Sequence, residues 1–412
     1  MFTGNRHRLY SQMEDESMLV LFSGEAPRKL SDQFYDFFPD RNFYYLTGLG
    51  EMGCAFVYIK SSVATREILY TPAADPVMEM IAGKPPASEA LRAVSGIEAI
   101  EPINCLDRML GSAVNMYRVK TVYLDMGAFD RLDALTPGQS LAAKLRSKTA
   151  GVEIKNIAGK LEAMRAIKTE GEIAYMQKAI DITAEAFTAM MQTVRPGMNE
   201  HELDALFRYK VRMGGGEEGF QVVATGSNAL TLHYMRNNTA IGEDDLVLAD
   251  CGAIWNHYYS DITRTFPASG RFTPRQKELY NIVLEAQKKA IACVRPGVTV
   301  AEISDTARDS IAKDCVALGL IDDESEVGKR WVGGIGHFLG LECHDTTGYF
   351  LTKDLPLEAG MVITIEPGLY VAEENIGIRI EDDVLVEPNG CRVLSEALPK
   401  TAEAVEVLMQ GQ

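Results

Sequence analysis

The sequence has little positive charge, no long apolar run and no closely paired cysteines. Its 412 residues carry 41 lysines and arginines against 58 acidic side chains, a formal net charge of −17. Such a balance offers no electrostatic footprint for a nucleic-acid backbone or an anionic membrane. No run of about 18 apolar residues occurs, and residues 1–10 lack an apolar signal core. These absences argue against nucleic acid and membrane as partners, and they predict a cytoplasmic protein.

Cysteine and histidine are both sparse. The seven cysteines are odd in number and scattered, and none forms a C-x-x-C pair. Neither a disulfide framework nor a zinc finger is therefore predicted, and the thiols are expected to be free. Of only six histidines, His337 and His344 fall within one glycine-rich segment.

The length predicts about two domains, because one hydrophobic core rarely supports 412 residues. The first part alternates polar helical stretches with short apolar runs that are predicted as strands: Met18–Phe22, Asn42–Thr47, Ala55–Lys60, Glu67–Tyr70 and Thr121–Leu124. After a charged stretch, Thr169-Glu-Gly-Glu172 has the form of a capping box that opens a long helix. We predict an α/β domain over residues 1–158 and a second domain over residues 159–412.

An internal repeat lies in the second part. Val194-Arg-Pro-Gly197, followed by Glu202-Leu203, is echoed 100 residues later by Val294-Arg-Pro-Gly297 and Glu302-Ile303. The offset is too long for a solenoid repeat. It predicts two half-domains related by an approximate internal two-fold axis.

Two acidic residues sit in one predicted hairpin. Asp250 ends the apolar run that begins at Leu246, and Asp261 lies in the strand-like segment that follows. A turn at Trp255-Asn256 would place the two carboxylates opposite each other, about 5 Å apart at Cβ. Carboxylates so close repel each other unless a cation lies between them.

A second hairpin repeats this arrangement. Glu366 follows Met361-Val-Ile-Thr-Ile, Glu381 follows Gly377-Ile-Arg-Ile, and a loop around Glu373-Glu374 would place them opposite each other. A single acidic residue in a strand is more often a solvated edge residue. Four of them, two in each hairpin and each within an apolar run, favour a metal site.

The nitrogen ligand is predicted to be His337, since the surrounding glycines allow the backbone to approach a site closely. Four carboxylates and one imidazole suit Mn²⁺ first, with Co²⁺, Fe²⁺ or Zn²⁺ as alternatives. The four negative charges would balance two divalent ions. Cys251 and Cys343 adjoin predicted ligands and are expected only to pack.

Several motifs occur in the order found in one known family. They are Asp261-Ile-Thr-Arg-Thr-Phe266, Gly334-Ile-Gly-His337, Glu366-Pro-Gly-Leu-Tyr370 and Arg379-Ile-Glu-Asp382. With Asp250, they resemble the ligand motifs of the pita-bread metallopeptidases, which include methionine aminopeptidase, aminopeptidase P and prolidase. His233-Tyr234, His344-Asp345 and the segment 41–48 are similar to the aminopeptidase P branch. The resemblance implies an α+β pita-bread catalytic domain with pseudo-two-fold internal symmetry, preceded by a smaller α/β domain of the aminopeptidase P type.

The resemblance also assigns metal ligands. Asp261 and Glu381 would bridge two divalent ions, Asp250 would complete one ion, and His337 with Glu366 would complete the other. Between them the ions would activate a water molecule for attack on a peptide bond.

Four residues receive catalytic roles from the resemblance. Glu366 would carry the proton to the leaving imino nitrogen, and His233 and His344 would hydrogen-bond the substrate or the oxyanion. Arg379 would either pair with the carboxylates or contact the substrate. The implied activity is that of a metal-dependent Xaa-Pro aminopeptidase acting on peptides with a penultimate proline, as a homodimer or homotetramer.

Two alternatives stay open at this point. A prolidase would use the same ions but cleave only Xaa-Pro dipeptides, and the short connection between Glu366 and Glu381 resembles prolidases as much as some aminopeptidases P. Cys251 also stands where a small residue is more usual in the family. A metal-free pita-bread domain that binds other proteins is a less favoured reading, because all five ligand residues are present.

Overall fold

The computed structural model describes residues 1–127, 135–149, 151–346 and 353–411. Within these residues the helices are α1 (Phe2–Tyr10), α2 (Arg41–Thr47), α3 (Pro76–Ala82), α4 (Ser88–Ser95), α5 (Leu106–Met116), α6 (Pro137–Lys148), α7 (Ala158–Ala166), α8 (Glu170–Thr193), α9 (Glu200–Met213), α10 (Pro274–Cys293), α11 (Val300–Ala317) and α12 (Ala402–Met409).

The strands of the same residues are β1 (Ser17–Phe22), β2 (Arg28–Leu30), β3 (Gln33–Phe34), β4 (Ala55–Lys60), β5 (Thr65–Thr71), β6 (Ala99–Pro102), β7 (Thr121–Leu124), β8 (Glu153–Asn156), β9 (Glu217–Thr225), β10 (Leu246–Trp255), β11 (Tyr258–Tyr259), β12 (Ile262–Pro267), β13 (Val362–Ile365), β14 (Gly368–Val371), β15 (Ile376–Arg379), β16 (Asp382–Glu387) and β17 (Gly390–Val393).

The chain divides into two units, Met1–Arg165 and Ala166–Gln412. The domain boundary that we placed between residues 158 and 159 stays a prediction. Among the described helices, none combines the length and the apolar character that crossing a bilayer requires.

The first unit contains a mixed six-stranded sheet in the order β6-β5-β4-β1-β7-β8. Valines of the central strands, among them Val20, Val57 and Val122, pack with leucines of α5 and α6 in one buried cluster. This packing is that of an α/β layer, as the alternation of apolar runs and helical stretches predicts.

The prediction of a strand over Asn42–Thr47 is wrong, since these residues form helix α2. The Asp40 side chain accepts a hydrogen bond from the backbone N–H of Phe43, and Gly48 ends the helix in the left-handed conformation, with φ of 72°. All six residues are buried, so an apolar run without periodicity did not distinguish helix from strand here. The caps on either side carried the decisive signal.

The internal repeat corresponds to two similar helix-turn-helix units. Helix α8 opens with the predicted Thr169 and Glu172 capping box, and α10 opens with a Thr273 and Gln276 box. In both units the helix is followed by a glycine with φ of 88°, Gly197 or Gly297, before a second capped helix begins. The repeated sequence therefore specifies the same backbone conformation twice.

Each half of the second unit also contributes a sheet. In the first half, β10 pairs with β9 on one side and with β11 and β12 on the other. In the second half, β13, β16 and β17 form a sheet, and β14 and β15 extend the same hairpin as a two-stranded ladder. The predicted acidic residues lie on or beside these central strands.

Candidate metal centre

The first acidic hairpin turns one residue later than predicted. Asn256 and His257 form its turn, with φ of 47° and 65°, and Trp255 pairs with Tyr258. Asp250 consequently lies opposite Thr263 rather than Asp261, so the predicted pairing is wrong by two residues. Because side chains alternate between faces with a period of two, this shift leaves Asp261 on the same face as Asp250.

The register of the second acidic hairpin is confirmed. Gly368 pairs with Arg379 on one side of the acidic pair, and Ile365 pairs with Asp382 on the other. Between these two ladders, Glu366 and Glu381 occupy opposed positions. The backbone N–H of Glu366 donates instead to Ile335 O at 2.8 Å, which joins the hairpin to the glycine-rich segment.

His337 is held against β13 by its own backbone. Its N–H donates to Thr364 Oγ1 at 3.0 Å, and its carbonyl accepts from the N–H of Thr364 at 2.9 Å. The preceding Gly336 comes so close to this strand that a Cβ would lie 1.9 Å from Thr364 O, so only glycine fits. The imidazole Nδ1 lies 3.2 Å from the carbonyl of Phe338. Donation from Nδ1 leaves Nε2 as the electron-pair donor, as a metal ligand requires.

Three of the predicted ligands converge closely. Asp261, His337 and Glu381 each offer an atom within 4.8 Å of the others, and all three are buried. His337 Nε2 lies 3.3 Å from Asp261 Oδ2 and 3.6 Å from Glu366 Oε1. The structure thus brings the histidine of the glycine-rich segment together with carboxylates from both hairpins.

The two hairpins are cross-linked beside these ligands. The backbone N–H of Glu381 donates to Thr263 O at 3.0 Å, and Thr263 Oγ1 donates to Glu381 Oε2 at 2.7 Å. The fully buried Arg264 pairs with the equally buried Asp382 at 2.7 Å. These contacts fix the separation of the sheets, and hence the separation of the ligands.

Arg379 lies against Asp250, one of the predicted ligands. Its Nη2 donates to Asp250 Oδ2 at 2.5 Å, Nε donates to Thr263 Oγ1 at 3.2 Å, and Nη1 donates to the Tyr370 hydroxyl at 3.1 Å. This geometry is that of a carboxylate partner, the first of the two roles considered for Arg379. Thr263 and Tyr370 lie within the quoted motifs, but their side-chain contacts were not anticipated.

Unpartnered oxygens remain in the centre. Asp250 Oδ1, Asp261 Oδ1 and Glu381 Oε1 are buried and have no hydrogen-bond partner among the described residues. Leaving a buried carboxylate oxygen without a partner costs free energy unless a cation or a proton satisfies it. The donor set therefore fits divalent cations.

The protonation equilibria show the same shortage of positive charge. Burial raises the pKa of Asp250 to about 7, against the opposing Arg379 guanidinium, and the charge of Asp261 adds to the rise. Burial and the charges of Asp261 and Glu366 hold the pKa of Glu381 well above its usual range. Burial also raises the pKa of Glu366. Divalent cations would relieve this mutual repulsion of buried carboxylates.

Asp261 and His337 behave as a pair. Burial would raise the pKa of Asp261, but the hydrogen bond and charge of His337 lower it. Burial favours the neutral imidazole, yet the hydrogen bond and charge of Asp261 raise the pKa of His337 to about 9. The buried imidazole and carboxylate thus stabilise each other's charged forms.

The expectation that Cys343 only packs is wrong. Its Sγ donates to Asp261 Oδ2 at 3.1 Å, so the thiol touches a predicted ligand. Cys251 does pack as expected, with its buried Sγ directed to Val222 O at 3.7 Å. The only sequence signal for this contact was the position of Cys343 next to His344. Sequence spacing did not show that the thiol points toward Asp261.

The two outer histidines lie at the exposed side of the centre. The His344 ring is 4.2 Å from the His337 ring and 6.4 Å from the His233 ring, centroid to centroid. Both His233 and His344 are exposed, whereas His337 is buried. The imidazoles therefore form a row from the buried ligands to the surface.

Comparisons with known proteins agree with this arrangement. Residues 174–388 match the model of metallopeptidase family M24, and residues 2–123 match the aminopeptidase P N-terminal domain. The chain therefore belongs to metallopeptidase family M24. Membership implies the use of divalent metal ions, as the ligand set predicts.

Curated relatives align with nearly the whole chain, among them two bacterial Xaa-Pro aminopeptidases. The Xaa-Pro aminopeptidase of Haemophilus influenzae is 33% identical, over 99% of this chain and 96% of the relative. The Xaa-Pro aminopeptidase of Escherichia coli is 31% identical, over 99% and 97% respectively. The chain is accordingly a peptidase of this kind, with both of its domains represented in its relatives.

Solved structures establish the fold. Zinc-substituted Escherichia coli aminopeptidase P in complex with product matches with a TM-score of 0.92 at 29% identity, covering 100% of this chain and 98% of that one. A Bacillus anthracis protein assigned as an aminopeptidase P matches with a TM-score of 0.96 at 38% identity and the same coverage. The predicted fold class, a pita-bread domain preceded by a smaller α/β domain, is confirmed.

Proposed function

We propose that this chain is a metal-dependent aminopeptidase that hydrolyses the bond between any N-terminal residue and a penultimate proline. One observation carries the proposal. In a chain similar over its length to Xaa-Pro aminopeptidases, Asp261, His337 and Glu381 converge within 4.8 Å as buried potential ligands. The substrates would be peptides with proline in second position.

The proposed ligands are those that the resemblance assigns: Asp250, Asp261, His337, Glu366 and Glu381. Three of them have buried oxygens that lack hydrogen-bond partners within the described part of the chain. Four carboxylates would balance two divalent ions, and their hard oxygens favour Mn²⁺ over ions that prefer sulfur. When bound, such ions supply a water of lowered pKa and a Lewis acid for the scissile carbonyl.

Glu366 is proposed as the proton carrier. Its Oε1 lies within 3.6 Å of His337 Nε2, and a quarter of its side chain is exposed, so it faces both the centre and the substrate side. Burial raises its pKa, which makes it a better proton acceptor. It would pass the proton to the imino nitrogen of proline, a poor leaving group until it is protonated.

His233 and His344 are proposed to hold the substrate at the exposed side of the centre. Their rings lie 6.4 Å apart and are both exposed, so each can donate a hydrogen bond to a bound peptide or to the developing oxyanion. Arg379 is proposed to keep Asp250 oriented and charged, through the hydrogen bond at 2.5 Å.

The prolidase alternative receives less support. The Haemophilus influenzae and Escherichia coli relatives, which align with nearly the whole chain, are named Xaa-Pro aminopeptidases, and their names give no reason to restrict the substrate to dipeptides. The metal-free binding module is also not favoured, because it leaves the unpartnered carboxylate oxygens unexplained. A Mn²⁺ requirement, a cytoplasmic location and a homodimeric or homotetrameric state stay predictions.

A peptide panel tests the proposed activity. The metal-depleted protein is supplied with Mn²⁺, Co²⁺ or Zn²⁺ and given Xaa-Pro, Xaa-Pro-Xaa and Xaa-Ala-Xaa peptides of matched composition. We expect release of the N-terminal residue from Xaa-Pro-Xaa, fastest with Mn²⁺, and little cleavage of the alanine control. Cleavage of Xaa-Pro alone would identify a prolidase, and equal cleavage of the alanine peptide would remove the proline specificity.

A further inference from the structure

A second group of metal-binding side chains borders the proposed centre. His337, Cys343 and His344 each offer a ligand atom within 4.8 Å of the others. His337 is buried, Cys343 is half-buried and His344 is exposed, so the group extends from the centre to the surface. An ion could reach it from solvent without passing the carboxylates.

The donors of this group differ in kind from those of the proposed catalytic centre. One thiol and two imidazoles are the donors that Zn²⁺ and Cd²⁺ prefer, whereas Mn²⁺ prefers carboxylate oxygen. In a tetrahedral zinc site with Zn–N of about 2.0 Å and Zn–S of about 2.3 Å, neighbouring ligand atoms lie about 3.5 Å apart. Atoms that already lie within 4.8 Å of one another need to approach by at most about 1.3 Å, which rotation of the exposed His344 side chain can help to provide.

The placement of Cys343 supports the same conclusion. Its Sγ is directed to Asp261 Oδ2 at 3.1 Å, so it already faces the centre. Asp261 itself is buried, and its Oδ1 has no hydrogen-bond partner in the described ranges. A cation beside Cys343 would therefore also meet an unsatisfied carboxylate oxygen.

We propose that His337, Cys343 and His344 form a site for a thiophilic divalent cation such as Zn²⁺ or Cd²⁺, and that its occupation inhibits the enzyme. As the sulfur–metal bond forms, the thiol of Cys343 releases its proton to solvent and its hydrogen bond to Asp261 breaks. His337 Nε2 turns from the carboxylates to the incoming ion, so the proposed catalytic set loses its only nitrogen donor. The inhibition rests on the proposed function, whereas the ion binding does not.

Cadmium absorption tests the binding. Cd²⁺ is titrated into the Mn²⁺-loaded full-length protein while the sulfur-to-cadmium charge-transfer band is followed in the ultraviolet. We expect the band to saturate at one Cd²⁺ per chain in the parent and to disappear in Cys343→Ser. The matched control is Cys391→Ser, another half-buried thiol of the same unit, which should leave the band unchanged. In His344→Ala, the half-saturating Cd²⁺ concentration should rise at least about 10-fold.

Each contrary outcome overturns the site. If the band persists in Cys343→Ser, or is lost in Cys391→Ser, it arises from a thiol other than Cys343. If the parent shows no band, no thiol binds Cd²⁺. Circular dichroism of each variant confirms folding. Should Cys343→Ser fail to fold, His344→Ala decides, because its exposed side chain contributes little to folding, and an unchanged titration would exclude His344 as a ligand.

The inhibitory part has its own measurement. The rate on an Xaa-Pro-Xaa peptide with Mn²⁺ is measured before and after addition of Cd²⁺, and each variant is compared with its own rate without Cd²⁺. We expect a loss of more than about 10-fold in the parent and in Cys391→Ser, and a much smaller loss in Cys343→Ser. Equal losses in all three would end the inhibitory proposal. A parent without peptidase activity would contradict the proposed function, while the absorption titration would still decide the site.

Discussion

The two acidic hairpins supply equivalent ligands from different backbones. The first has a two-residue turn, Asn256 and His257, and its Asp250 lies within the continuous strand β10. The second has a longer connection through 372–375, and its Glu366 and Glu381 both lie between ladder segments. Asp250 thus belongs to a regular strand, whereas Glu366 and Glu381 belong to interrupted ones.

Three of the four acidic ligands lie at breaks in the strands rather than within them. Asp261, Glu366 and Glu381 all lie outside the assigned strands, and their backbone N–H groups donate elsewhere, to Asp383 Oδ2, Ile335 O and Thr263 O. The hydrogen bonds lost from the ladders become links between the hairpins and the glycine-rich segment. The same interruptions that remove Asp261, Glu366 and Glu381 from the ladders therefore also bring these side chains together.

The largest expected effect tests whether both hairpins contribute equally to metal binding. In Asp261→Ala and in Glu381→Ala, a proposed bridging ligand is lost from one hairpin or the other. We expect bound metal to fall and the rate on Xaa-Pro-Xaa to drop more than about 100-fold in both, since a bridging ligand serves both ions. Metal analysis and steady-state kinetics measure this. The control is Asp309→Ala on the exposed face of α11.

Unequal losses would break the comparison. If Asp261→Ala binds two ions as well as the parent does, the ligand assignment of the first hairpin is wrong. If only Glu381→Ala retains its metal, the second hairpin supplies structure rather than ligands.

His344 belongs to neither hairpin, so its removal should separate rate from metal content. We expect His344→Ala to keep its Mn²⁺ and to lose about 100-fold in kcat, the effect of removing one donor to the oxyanion. The exposed His201 of α9 provides the matched control, His201→Ala. Loss of Mn²⁺ from the His344 variant would make His344 a ligand and contradict its proposed role.

Arg379 joins the second hairpin to Asp250 of the first, so its variants measure the coupling between them. We expect Arg379→Met to weaken Mn²⁺ binding about 10- to 100-fold, since Asp250 loses the partner that orients it. Arg379→Lys should recover part of this loss, because it restores charge without the forked geometry. Isothermal titration measures the affinity, with Arg392→Met on an exposed arginine as the control. An unchanged affinity in Arg379→Met would assign Arg379 to the substrate instead.

The smallest effect concerns the turns. Asn256 and Asn375 both adopt the left-handed conformation, with φ of 47° and 53°. We expect each Asn→Ala variant to lose about 1 kcal/mol of unfolding free energy and each Asn→Gly variant to lose little. Urea denaturation of the metal-depleted protein measures both. If glycine fails to restore stability at Asn256, its side-chain contacts matter more than its backbone conformation.

Prediction from the sequence succeeded where a signal was local. The Thr169 capping box and the repeated helix-turn-helix units were readable because caps and turns involve only a few neighbouring residues. The register of the second hairpin was predicted correctly because the loop was placed around Glu373-Glu374, and these residues do lie in the connection between the two strands. The turn of the first hairpin was placed one residue too early, which shifted the predicted pairing by two. A turn formed by Asn256 and His257 lacks the glycine that usually marks such turns.

Residue types and their local backbone geometry were thus accessible from the chain alone: four carboxylates and a histidine, each within an apolar run or beside glycine. The contacts between distant residues were not. Cys343 meets Asp261 across 82 positions, Thr263 meets Glu381 across 118 and Arg379 meets Asp250 across 129. Steric and hydrogen-bonding preferences act over a few residues, whereas these contacts depend on how whole sheets pack. The direction of the Cys343 thiol therefore became visible only in the folded protein.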